Sequence, residues 1–371
     1  MRRERSIIPY ILILTLGLIF VLFMYLLAAG FHPVRFVKGG LHAEDNIEDV
    51  ADRVTEALQA GYDGEIQVYI KSVPAKDIRH LNYLIDTMKG NISEYKASAP
   101  FLGVRLYTFY VERADSLFVY EAITEGKEIP PERFKAKTLK SRVEGILKYQ
   151  IREGMSDYQK ELALHDYLVG HCTYGFGSEE DQNEYTAYGA LVDGVAVCSG
   201  YAAAMNLLLS CAGVENEFVV GTATSEGENG SETENHAWNL VHIGNNWYHL
   251  DATWDDPLGE KEILSHEFFN LSDEVIQKDH SWDTNKTESC LSMDDNYFVR
   301  QGLYYRNQTE LEMGVSGILS RGYMTVECVA AGMNVTDSSM QFVFGVQGVF
   351  SLRYSASGYI PYNLIRLEAN Q

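Results

Sequence analysis

Between Ala187 and Pro257 a helix-forming run gives way to two alternating, aromatic-rich runs, and that order confines the segment to an α+β arrangement. The run AVCSGYAAAMNLLLSCAG is dominated by Ala, Met and Leu and stops at Gly213, a residue suited to a helix C-terminus. A helix is predicted from about Ser199 to Ala212. HAWNLVHI and the run from Trp247 to Asp251 alternate as strands do, and they flank Gly244-Asn245-Asn246, a hairpin turn signal. Cys198 then sits at the first turn of the helix, His236 opens one strand, and Asp251 closes the next.

Each position suits a chemical task. The unpaired N–H groups and positive end of a helix N-terminus favour a thiolate, and the thiolate is the nucleophile. Ala196, Ser199 and Gly200 are small enough to let a substrate backbone approach. A thiol needs a base within hydrogen-bond reach, and the base needs a third group to hold its ring. A turn centred between residues 243 and 244 would set Asp251 opposite His236 on the neighbouring strand, near enough to accept from the imidazole. Nucleophile, base and orienter are thus expected at Cys198, His236 and Asp251. The N–H of Cys198 is a reasonable oxyanion donor, with Tyr174 a weaker second candidate.

The segments AYGALVDGVAVCSGYAAAMNLLLSCAGVENEFVVG and NHAWNLVHIGNNWYHLDATWDDP resemble the transglutaminase-like superfamily. LALHDYLVGHCTYGF resembles the helix that precedes the cysteine segment in bacterial members. The resemblance spans roughly residues 140 to 290. It implies a papain-like core, a cysteine helix packed on an antiparallel sheet, with Cys198 as nucleophile, His236 as base and Asp251 as orienter. It also implies acyl transfer through a thioester on Cys198, either as an amidase or protease or as a transglutaminase acting on peptide or protein carboxamides. The reading from a different class is a surface-anchored binding or scaffolding protein that keeps the fold without turnover.

Taken singly, a buried cysteine is usually inert and a strand histidine usually structural; the ordered set with its flanks is what carries the assignment. Trp238, Trp247 and Trp254 read as core and site walls, and His242 and His249 as structural. His165 and His171 carry no separate signal. No paired CxxC, HExxH or EF-hand loop occurs, and no Walker or Rossmann glycine pattern, so no metal and no cofactor is expected.

The first residues, MRRERS, carry three arginines, and Ile7 to Phe31 is uncharged. That length spans a bilayer and the arginines orient it with the N-terminus cytoplasmic, so the rest of the chain is expected outside the cell membrane. A cleaved signal peptide ending near Ala28-Ala29-Gly30 is the competing reading. The net charge is −22, and the first five residues contribute +2, leaving −24 beyond them. Such a surface repels nucleic acid and fits basic partners. The expected partner is a peptide or protein substrate, with cell-wall peptide one candidate. Five cysteines leave at least one thiol unpaired, in keeping with a reactive Cys198.

The expected organisation is an anchor over 1–31, a linker over 32–45, an α+β domain over 46–135, a transglutaminase-like domain over 136–295 and a C-terminal α+β domain over 296–371. Within the first α+β domain, NIEDVADRVTEALQAGYDG and AKDIRHLNYLIDTMKGN read as helices, EIQVYI as a strand, and VRLYTFYVER and SLFVYEAI as paired strands. The core is expected to hold helices over Arg142–Ile151 and Ser156–Val169. SEGENGSETEN reads as a solvated hairpin loop, or in a sharper reading as an acidic rim over the active site, with Asp255 and Asp256 adding charge on the same side. Near the C-terminus YMTVECVA, MQFVFGV and FSLRYS read as strands, and QTELEMGVSGILSRG as a helix.

Overall fold

The computed structural model describes residues 46–71, 81–99, 104–176, 182–227, 230–256, 264–349, 351–357 and 360–370. The expected anchor and linker lie outside them. Among the described residues no helix is long and apolar enough to cross a membrane. The chain divides into two compact units, one ending at Ala114 and one beginning at Asp115.

In the first unit helix α1 (Ile47–Gln59) starts where the Asn46 side chain accepts from Asp49 N. Val50, Val54 and Leu58, spaced by four, are buried with Ala51. They share a core with Val68, Ile70, Phe109 and Val111. These come from strands β1 (Gly64–Lys71) and β3 (Val104–Arg113), and β2 (Gly90–Ala97) completes the sheet in the order β1-β3-β2. Of the second helix expected here, residues 75–80 lie outside the described residues, Leu81–Leu84 forms a 3₁₀ turn, and residues 90–97 are strand. At Gly90 a Cβ would meet Glu112 O at 2.6 Å, so the backbone lies against β3.

The second unit begins with a further correction. SLFVYEAI is not a strand but helix α2 (Asp115–Thr124), and β3 pairs with β1 and β2 instead. Its aromatic and branched residues favour strand locally. Packing on helices α3 (Phe134–Gln150) and α5 (Cys198–Cys211) overrides that preference. Helix α4 (Asp157–His171) opens on a capping box between Ser156 and Gln159 and buries Leu164 and Leu168 against α5. Helix α5 is buried at every residue from Cys198 to Leu209, and it lies on the sheet β10-β6-β7-β8-β9. These strands are β6 (Asn216–Gly227), β7 (Gly230–Ile243), β8 (Asn246–Leu250), β9 (Phe269–Leu271) and β10 (His280–Trp282). Mixed helices and sheet, with the cysteine helix on an antiparallel sheet, are therefore present as expected.

Of the acidic stretch, residues 225–227 and 230–235 are strand, so the expected hairpin loop is paired further out than its composition indicates. β6 and β7 stay paired out to Gly227 and Gly230, forming a β-ribbon whose outer positions are exposed. Further on, helix α6 (Gln308–Ser320) covers a four-stranded sheet of order β11-β12-β14-β13, with β11 at Tyr304–Tyr305, β12 at Thr325–Ala330, β13 at Ser351–Ala356 and β14 at Asn363–Asn370. MQFVFGV, expected as a strand, forms the 3₁₀ turn Gln341–Gly345. Val329, Tyr362 and Leu364 of this layer share one core with Trp238, Leu240 and Phe298, which joins the two sheets of the unit.

One glycine tests the packing at the start of α5. A Cβ on Gly200 would meet Glu184 O at 2.3 Å and the Ala196 Cβ at 2.8 Å. Gly200→Ala should therefore destabilise the protein by about 1–3 kcal/mol. Gly145, inside α3 with nothing within 4 Å, should do the reverse: Gly145→Ala should stabilise by about 0.5–1 kcal/mol. Urea unfolding of the two variants checks both signs.

Candidate active site

Cys198 is the first residue of α5, and no side chain caps the helix at Val197. The start of the helix is braced from two sides. Val197 N donates to Glu184 O at 3.0 Å, and the short parallel pair Thr173–Tyr174 and Val195–Ala196 sets Tyr174 beside Ala196. A thiol at this point faces N–H groups that the helix itself does not use. His236 comes from β7, next to Gly221 on β6. A side chain at Gly221 would collide with Ser281 O at 2.2 Å and with the Trp238 ring at 2.8 Å, so the glycine makes room for the tryptophan that stacks on His236.

The structure brings all three expected residues together. His236 Nε2 lies 2.7 Å from Asp251 Oδ2. Cys198 stands near enough to the same ring to raise its pKa, and Nδ1 is the nitrogen that Asp251 leaves open. The register differs from the expectation by two positions. Ile243 pairs with Asn246 across the two-residue turn Gly244-Asn245, so the residue opposite Asp251 would be Trp238 rather than His236. An offset of two keeps the same face, and Asp251 reaches His236 along the diagonal.

Burial works against charge on both partners, and their attraction outweighs it. Burial lowers the His236 pKa, but the Asp251 carboxylate, with help from Cys198, pushes it up to about 10. Burial raises the Asp251 pKa, but His236 and then His280 hold it well below the usual carboxylate range. Thr253 N and Trp254 N donate to Asp251 Oδ1 at 2.9 and 3.2 Å. Tyr174 stands near the thiol; burial first, then the neighbouring Cys198, raises its hydroxyl to about 12. Trp238 and Trp254 pack on His236 at 5.9 and 5.8 Å, as site walls.

Other expectations change. Asp255 and Asp256 do not join an acidic rim. Asp255 is fully buried and accepts from Phe268 N and from His165 Nε2–H, at 2.9 and 3.1 Å, and Asp256 accepts from the Tyr201 hydroxyl. The turn over residues 252–256 folds both carboxylates inward. His165, read as carrying no signal, is a fully buried link between α4 and that turn. His249 is structural as expected, accepting from Trp238 Nε1–H and bonded to Asp273. His280 was not singled out at all, although it bonds to Asp251 Oδ2 at 3.1 Å. Its only sequence signal is the neighbouring Asp279.

Among the described residues, three groups could offer ligand atoms to a metal: His165, Asp166 and His266; His236, Asp251 and His280; His249, Asp273 and Cys290. The ring-to-carboxylate spacings among them, from 2.7 to 3.1 Å, are those of hydrogen bonds, and those bonds already satisfy the rings. All five cysteines are free thiols.

The His236–Asp251 pair gives stability a definite pH dependence. The His236 pKa is raised from 6.5 to about 10, so its contribution is complete below pH 6.5 and is lost as pH rises through 10. Asp251 is depressed from 3.8, so its contribution is present above that value and is lost only as pH falls through the lower one. Wild-type stability should therefore decline between pH 6.5 and 10. Asp251→Asn should cost on the order of 3 kcal/mol near neutral pH and flatten that decline. Equal slopes for the two proteins in urea unfolding across the range would contradict the coupling.

Residues 145–252, which include Cys198, His236 and Asp251, match the family model of the transglutaminase-like superfamily. Kyphoscoliosis peptidase of Mus musculus is 24% identical over 185 residues, and that of Homo sapiens 23%. Each alignment takes in 45% of this chain and 28% of the relative, so the chain spans little more than a quarter of either peptidase. Among solved structures, a provisionally named cysteine protease from Cytophaga hutchinsonii superposes with 18% identity and a TM-score of 0.27, over 52% of this chain and 67% of that one. A TGase superposes with 15% identity and a TM-score of 0.25, over 54% and 53%. Superpositions this loose carry no argument about the fold. Residues 145–252, the segment that carries Cys198, His236 and Asp251, are therefore similar to a transglutaminase-like domain.

Proposed function

We propose that the chain is a cysteine-dependent acyl-transfer enzyme working through a thioester on Cys198, with peptide or protein carboxamides as substrates. One observation carries the reading. A thiol at an uncapped helix start stands beside an imidazole that a buried carboxylate holds by its Nε2. The match of this segment to a transglutaminase-like family model supports the same chemistry.

The thiolate of Cys198 attacks the carbonyl carbon, and the carbonyl π pair moves onto oxygen, where the Cys198 N–H can donate to it. Tyr174 is the second donor in this scheme. Collapse of the intermediate breaks the C–N bond, and the His236 imidazolium gives its proton to the departing amine. Asp251 keeps the ring in position throughout. Water, losing a proton to His236, then attacks the thioester and releases the acid and the thiol. Water needs only the base that is already there, whereas an amine must also be guided to the thioester. Hydrolysis is therefore the preferred fate, and the exposed Glu232 and Glu234 of the β-ribbon are the groups that would guide a lysine if transfer occurs.

The thiol itself gives the first test. Burial pushes Cys172 up to about 11, Cys211 and Cys328 up to about 12, and Cys290 higher still. Iodoacetamide at neutral pH should label Cys198 ahead of these four, as read by peptide mapping. Equal labelling of the five would count against a catalytic site.

The second test uses a glutamine-containing peptide together with a primary-amine probe. Deamidated product should exceed amine-linked product, and Cys198→Ala should lower both by more than about 10³-fold. Dominant amine incorporation would replace the hydrolase reading with transamidation. A Cys198→Ala variant that keeps its activity would remove the thioester from the scheme.

We also propose that residues 7–31 anchor the enzyme in the cell membrane with its catalytic domain outside, a reading that rests on the length of the apolar run and the arginines before it. The mature protein should keep its N-terminus and sediment with membranes. A soluble secreted form beginning near Gly30 would show a cleaved signal peptide instead.

A further inference from the structure

Asp251 carries a second imidazole. His280, the first residue of β10, sets Nε2 3.1 Å from Asp251 Oδ2, the same oxygen that His236 Nε2 meets at 2.7 Å. On its other side Nδ1 stands 2.6 Å from Asp279 Oδ1. The ring is fully buried between these carboxylates. An ionised carboxylate oxygen only accepts, so each ring nitrogen of His280 is placed to donate to one. Packing does not explain that arrangement. His249, buried to the same degree, uses one nitrogen to accept from Trp238 Nε1–H.

The surroundings hold the His280 ring in one orientation. Trp254, Trp238 and Phe268 lie 4.6, 5.1 and 5.7 Å from it. The titratable groups that face it are few. His236 from β7 is 5.2 Å away between ring centres, Asp251 follows β8, His249 on β8 feels its charge, and Asp279 is itself 3.6 Å from Lys278 Nζ.

We infer that His280 is a positioning residue for the Cys198 site: it holds the Asp251 carboxylate by the oxygen that meets His236 and offsets the negative charge that Asp251 brings to the Cys198–His236 pair. The inference rests on the catalytic reading given above. Without His280, Asp251 loses one of its four hydrogen bonds and its charge stands less compensated. More negative potential near Cys198 disfavours the thiolate, so the thiol ionises at higher pH. Asp279 acts one step further out, fixing the ring that fixes Asp251.

The experiment measures the rate of Cys198 alkylation by iodoacetamide from about pH 4 to about pH 10, where the thiolate limb falls. It uses the full chain as wild type, His280→Phe, His280→Gln and, as an equally buried control, His249→Gln. In His280→Phe the limb should move up by about one pH unit. His280→Gln keeps an N–H donor at the Nε2 position without the charge, and should move the limb by about half as much. His249→Gln should leave the limb in place. Thermal melts identify any variant that does not fold; if His280→Phe fails, His280→Gln carries the comparison. Limbs that coincide in wild type and the folded His280 variants, or an equal displacement in His249→Gln, would overturn the role of His280 alone. A wild-type limb at the pH of an ordinary free thiol would overturn the catalytic reading, and the role of His280 with it.

Discussion

Asp251 is fully buried, and the structure around it is arranged to keep it ionised. Two backbone N–H groups of its own turn donate to Oδ1, and two imidazoles meet Oδ2. These partners come from three places: the turn after β8, the strand β7 and the strand β10. An uncompensated carboxylate in this position would cost several kcal/mol, so the sheet must close correctly at β7, β8 and β10 together. That one charge ties the hairpin to the edge strand, and through His236 to the start of the buried helix α5.

The same device recurs through the second unit. His165 bridges Asp166 and Asp255, linking α4 to the turn after Asp251. Burial pulls its pKa down, and the two carboxylates bring it up to about 9. His249 links β8 to Asp273, and His266 bonds to Asp166 while its own ring stacks on Tyr297 at 3.7 Å. A strongly acidic chain thus draws part of its negative charge inward, where Asp251 and Asp255 meet imidazoles. The exposed acids of the β-ribbon are a separate population, open to a cationic partner.

The expectations that failed share a cause. SLFVYEAI has the composition of a strand, yet α3 and α5 offer it a surface that a helix covers better. The acidic run 225–235 has the composition of a loop, yet β6 and β7 stay paired into it as far as Gly227 and Gly230 because backbone hydrogen bonds are indifferent to polar side chains. Asp255 looks like a surface charge until the turn that carries it folds under β9. In each case local composition states a preference of order 1 kcal/mol or less per residue, and tertiary packing supplies more.

The sequence by itself determined the helix that begins at Cys198, a hairpin turn within Gly244-Asn245-Asn246 and the identity of the three residues that meet, because all three signals are local. Glycines, alternation and small residues at a helix start act over a few positions, and the chain order of Cys198, His236 and Asp251 needs no long-range information. Only the tertiary structure decided the diagonal reach of Asp251, the inward course of Asp255 and the place of His280. His280 lies 29 residues beyond Asp251 in the chain. It reaches that carboxylate because β10 returns to pair with β6, with His280 opposite Ala223. Strand order in a sheet is set by which faces can be buried together, and no short stretch of sequence carries that choice.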